Sequence, residues 1–70
     1  LTTAIGALVS ISGTMAQARI DMAVADGGSQ SKINDALEHM AGALEKLANG
    51  EPHKAIDEYK KAWEKARDAL

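Results

Sequence analysis

Residues 1–18 read LTTAIGALVSISGTMAQA and carry no charge; all ten acids and eight bases of the chain lie between Arg19 and Leu70. A helix built from such a stretch cannot face water on every side. It needs cover from its own domain, from a partner or from lipid. The opening quarter therefore fixes the main question about this chain, which is what lies against that helix.

Two turn signals divide the rest. Asp26-Gly27-Gly28-Ser29 and Asn49-Gly50-Glu51-Pro52 each place glycine where a helix ends, and Pro52 is preset for a first helical turn. They predict helices over about 3–26, 31–48 and 52–69, with Ser29 or Ser31 capping the second. Linkers this short favour antiparallel neighbours. The expected fold is all-α: one domain over 1–70, an antiparallel three-helix bundle made of a long first helix and a helical hairpin.

In the first segment Leu1, Leu8, Met15 and Met22 fall seven apart, each followed after three residues by Ala4, Ile11, Ala18 or Ala25. That is an a/d seam, and Leu8, Ile11, Met15 and Met22 are expected in the core. A second apolar row, Ile5, Val9, Ala16, Ile20 and Val24, lies round the side. It is the candidate interaction surface, because the apolar face is wider than one neighbouring helix needs. Gly6, Ser10, Gly13 and Thr14 add a small-residue surface that permits near backbone approach. The second segment carries one stripe, Ile33, Leu37, Met40, Leu44 and Leu47, and the third carries Ile56, Tyr59, Trp63, Ala66 and Leu70. Of these, Ile33, Leu37, Met40, Leu44, Leu47, Ile56, Tyr59 and Trp63 are expected core, with Ala55, Ala62 and Ala69 as an adjoining row of small contacts.

At 70 residues only a small core is possible, and bundles of this size often gain stability by association. Phe is absent, Tyr59 and Trp63 are the only aromatics, and much of the apolar fraction is Ala, which suits close helix packing better than a ligand cavity. The chain has no cysteine, which removes disulfides, zinc–thiolate sites and thiol catalysis and fits either redox compartment. Net charge is −2, and Lys60, Lys61, Lys65 and Arg67 alternate with Asp57, Glu58, Glu64 and Asp68. This is a solvated face of mixed sign without the concentrated positive footprint that nucleic acid requires. The first residue is Leu, which reads as a processed product or a piece of a longer protein or complex. Ala16-Gln17-Ala18 has the look of a signal-peptide end, but the stretch is taken as part of the fold.

The run Gly50-Glu51-Pro52-His53-Lys54-Ala55-Ile56, followed by Tyr59, Ala62 and Trp63, resembles the turn and second helix of a tetratricopeptide hairpin. Gly42 and Lys46 depart from that pattern, and one partial repeat makes no superhelical groove. A longer order of residues runs Leu8-Val9, Ala16, Ile20, Ala23, Gly27-Gly28, Ile33, Ala36, Leu47, Gly50, Ala55-Ile56, Tyr59, Ala62-Trp63 and Ala66. It is similar to a short helical module near the C-termini of bacterial and archaeal secreted or cell-surface proteins. That resemblance implies an extracytoplasmic accessory domain without chemistry of its own. Such modules place charges early in their first helix, where this chain has none.

No constellation points to catalysis. His39 and His53 are fourteen positions apart across a turn, which matches no zinc spacing. Met15, Met22 and Met40 fall on apolar stripes and read as packing residues rather than copper or haem ligands. Acid–base work needs a carboxyl in a desolvating pocket, whereas Asp57, Glu58, Glu64 and Asp68 stand among lysines. Gly27-Gly28 lacks the strand and the Lys-Ser/Thr of a phosphate loop, and Ser10 and Ser12 have no histidine nearby. The expectation is no enzyme, no cofactor and no metal. Instead the chain is read as an interaction module that contacts a parent domain, a neighbouring subunit or itself. The alternative is a small membrane-linked subunit whose residues 1–18 enter lipid or pack within a membrane complex.

Overall fold

A computed structural model describes the backbone of residues 2–70 and the side chains of residues 6–70. The described residues form three α-helices, α1 (Thr2–Ala25), α2 (Gln30–Ala48) and α3 (Pro52–Ala69), and they contain no strand. All six ends lie within one residue of the expected positions.

Glycine and proline set those ends. Gly27 takes φ +68° and lets Gly28 N–H donate to the Ala23 carbonyl at 2.8 Å, closing α1. Ser29 then caps α2, its Oγ accepting from Lys32 N–H at 3.5 Å. At the next turn Gly50 takes φ +75°, Glu51 N–H donates to the Lys46 carbonyl at 2.8 Å, and Pro52 opens α3. The first turn is also docked on the far end of the chain. Ser29 N–H donates to the Ala69 carbonyl at 3.1 Å, and a Cβ on Gly28 would sit 2.6 Å from that same oxygen. Position 28 therefore needs a residue with no side chain, because its neighbour there is backbone.

The chain runs up, down and up. α3 is the helix on which both others pack, and α1 and α2 touch each other little. Gly13 lies against Tyr59, Arg19 over Trp63 and Gly28 against Ala69, so α1 runs parallel to α3 in a fixed register. The bundle is long and thin, with extents of 39 × 17 × 13 Å.

Its core is built from alanine: among the described residues, eight of the eleven buried apolar ones are Ala, joined by Ile20, Ile33 and Tyr59. They stack in three layers, each drawing on all three helices. The first holds Ala16, Ala43, Ala55, Tyr59 and Ala62, the second Ile20, Ala36 and Ala66, and the third Ala23, Ile33 and Ala69. Val9, Met40, Leu47 and Trp63 pack against the rim of the first layer. Alanine on facing helices lets the axes approach closely, and dispersion between well-fitted neighbours then replaces the bulk of larger side chains.

This arrangement corrects the expected core. Leu8, Ile11, Met15, Met22, Leu37 and Leu44 all lie on the surface, between 46% (Leu37) and 62% (Leu44) exposed. Ala16 and Ile20, expected outside as an interaction row, are buried, and Val9 packs at their edge. Val24 does face outward, and the side chain of Ile5 lies outside the described residues. The physical reason is spacing. Where two helices meet along alanines, a leucine or methionine does not fit between the backbones, so each helix turns its small row inward and its large row to the flank. In α2 this rotates the inward stripe from Leu37 and Leu44 to Ala36 and Ala43, a difference of one residue, or about 100° on a helix.

Candidate interaction surface

The outward seam of α1 is the main apolar feature of the surface. Leu8, Ile11, Met15 and Met22 are each about half exposed and recur at the three-and-four spacing of a helix-pairing seam. Ala18, between Met15 and Met22, is exposed as well. Nothing charged interrupts the seam. Arg19 turns its guanidinium onto Trp63, and Asp21 accepts a hydrogen bond from Gln17 Nε2 at 2.9 Å on another face of α1.

Met15 also forms one wall of a groove of about 340 Å³ between α1 and α3. Ile56, Tyr59 and Trp63 supply its apolar floor, and Lys60 and Glu64, one helical turn apart, supply its charged rim. Trp63 ends up half-buried because it carries two roles. Its ring closes one edge of the first core layer, and its faces receive Arg19 and Arg67, both with Cζ at 5.3 Å from the ring centroid. Each such contact contributes about 0.5–1 kcal/mol at an accessible site. Arg19 is thus the first charge in the chain and ties α1 to α3. Arg67 is held further by Asp68 Oδ1 at 3.3 Å.

A second, shallower groove of about 430 Å³ separates the first half of α1 from α2. The small-residue surface of α1 lies here, with Gly6, Ser10, Gly13 and Thr14 opposite Met40 and Leu47. These small groups leave the α1–α2 seam open, and Gly13 makes room for Tyr59, whose Cζ would lie 3.2 Å from a Cβ at that position.

The remaining chemistry-bearing residues are dispersed. His39 Nδ1 stands 3.5 Å from Glu58 Oε2, and Lys61 Nζ stands 3.7 Å from Glu58 Oε1, a cluster at the α2–α3 contact. Gly42 admits it, since a Cβ there would run into the Glu58 carboxylate. His53 and Asp57 are exposed and separate from this cluster. Among the described residues no group of three His, Cys, Asp or Glu side chains is placed to hold a metal ion. No helix among them is long and apolar enough to cross a membrane.

Sequence reasoning identified the two apolar rows of α1 but, Val24 aside, exchanged the roles of their described residues, and it missed the groove that joins the outer row to Ile56 and Trp63. The signal that finds the inner face is the alanine spacing: Ala16 and Ala23, Ala36 and Ala43, and Ala55, Ala62 and Ala69 each recur after seven residues. No family model, curated protein or solved structure matches the chain.

Proposed function

We propose that this chain is a non-catalytic helical interaction module, an accessory domain of an extracytoplasmic protein that makes protein–protein contacts through α1. The single observation behind the reading is the seam of Leu8, Ile11, Met15 and Met22, half exposed on a helix that carries no charge before Arg19. A contiguous apolar patch of this kind is a cost in water unless another surface covers it. Its regular spacing suits another helix, and the Ser10, Ser12, Thr14 and Gln17 hydroxyl and amide groups on α1 favour protein over hydrocarbon as the cover. The extracytoplasmic placement rests on the resemblance carried by Ala55-Ile56, Tyr59 and Ala62-Trp63.

The reading requires that the seam be dispensable for folding. The double substitution Ile11→Gln/Met15→Gln, unfolded by urea in dilute solution, is expected to keep a cooperative transition and lose about 1 kcal/mol or less. It is also expected to bind less of an apolar fluorescent dye than the unsubstituted chain. A loss of several kcal/mol, the scale of two buried large side chains, would mean that the seam belongs to the chain's own core, and the reading would fail.

A further inference from the structure

We propose that the α1 seam is covered by the same seam of a second copy, in an antiparallel pair related by a two-fold axis through Met15. This names the partner for the interaction reading above and rests on it.

Two independent features of the surface share one centre. The seam from Leu8 to Met22 has its midpoint at residue 15. The only two charged residues on the rim of the adjoining groove, Lys60 and Glu64, have theirs at residue 62. Ile20 shares a core layer with Ala66 and Ala23 with Ala69, a constant offset of 46 between the parallel helices, so residue 15 is level with residue 61 and the two midpoints lie within one residue of each other along the bundle. A two-fold axis at that level, perpendicular to the helices, acts on both at once. It sets Leu8 of one copy beside Met22 of the other, Ile11 beside the small Ala18, and Met15 beside its own counterpart. It also sets Lys60 beside the second copy's Glu64, and Glu64 beside its Lys60. An isologous contact has to be complementary to itself, and here the apolar seam and its charged rim both meet that condition under the same operation.

Charge supports a copy of this chain over an unrelated surface. Two identical proteins normally present like charges to each other, but α1 carries none before Arg19, and Arg19 is turned onto Trp63. Area sets the strength. Four half-exposed side chains give a patch on the order of 400 Å². With the groove walls added, two copies approach the low end of specific interfaces, about 1,200 Å² in total. The association is therefore concentration-dependent, with a dissociation constant on the order of micromolar.

Sedimentation equilibrium of the full chain over roughly 1 μM to 1 mM tests this. A monomer–dimer equilibrium is expected. Met15→Glu brings two carboxylates together at the axis and is expected to weaken the dimer by ~100-fold or more. Lys60→Glu is also expected to weaken it, and the exchanged pair Lys60→Glu/Glu64→Lys to restore it. The chain has no cysteine, so single thiols report the geometry. Met15→Cys is expected to crosslink between copies and Leu8→Cys to resist crosslinking, because the axis carries position 8 far from its counterpart. Efficient crosslinking at position 8 would indicate a parallel pair and overturn the proposal. So would a monomer at every concentration, including a monomer that binds phosphatidylcholine vesicles through α1. In those cases a dilute Ile11→Gln/Met15→Gln chain that keeps its stability leaves the interaction reading standing with another occupant. One that unfolds removes the reading as well.

Discussion

Ala62→Leu is expected to cost about 2–3 kcal/mol of folding stability, although it adds hydrophobic surface to an apolar core. Ala62 is fully buried in the first core layer, beside Ala16, Ala43 and Ala55. Close approach of α1 and α2 to α3 depends on the absence of atoms beyond Cβ at these positions. A leucine must force the helices apart, adopt a poor rotamer, or both. Separation at position 62 also strips contacts from the alanines above and below, because the helices are stiff over this length. Thermal melting followed by circular dichroism reads the effect. For a domain of this size it is a fall in Tm of about 10–20 °C. Leu44→Ala removes as many apolar atoms as Ala62→Leu adds, but from a residue 62% exposed, and its expected cost is below about 1 kcal/mol. The opposite ranking would mean that bulk and not fit holds the bundle together.

Tyr59→Ala is expected to be the more damaging change, at about 3–5 kcal/mol. Tyr59 is the one large aromatic ring in the buried core, 7% exposed, and it fills the space between α1 and α3 under Gly13. Both surface grooves are lined by it, so each would be enlarged by its loss. Truncation opens that space, and the alanine neighbours are too small to collapse into it. Small domains hold only a few kcal/mol in reserve. The variant is therefore expected to be substantially unfolded at 25 °C, seen as lost cooperativity in urea and lost helical circular dichroism. Tyr59→Phe keeps the ring and is expected to stay folded, which separates the filling of space from any role of the hydroxyl.

The helices were legible because their punctuation is local. Gly27-Gly28 and Asn49-Gly50-Glu51-Pro52 demand particular backbone conformations whatever surrounds them, and the helix ends follow. The inward faces were less legible because they depend on distance between helices, which no single segment encodes. α1 is apolar nearly all round, so periodicity finds two seams there, and hydrophobicity favours the one with Leu8, Ile11, Met15 and Met22. Packing selects the other, through Ala16, Ile20 and Ala23, since only small residues let α1 reach α3. The same choice recurs one residue over in α2, where Ala36 and Ala43 displace Leu37 and Leu44. Tyr59 and Ile33 were legible as core because in each case the large residue sits on the small-residue face. The interaction surface followed the core into exchange: once the alanine rows turn inward, the large residues are what remains outside.

Native-state thiol labelling at adjacent positions tests this inside-out assignment most directly, with Ala16→Cys and Met15→Cys compared in dilute solution. Cysteine is small enough for either site and unique in the chain. With the alanine row inward, labelling at position 15 is expected to be rapid, near the rate of the unfolded chain, and labelling at position 16 slowed by orders of magnitude, because it waits for unfolding. Protection at 15 together with free reaction at 16 would place the large seam inside and contradict the account.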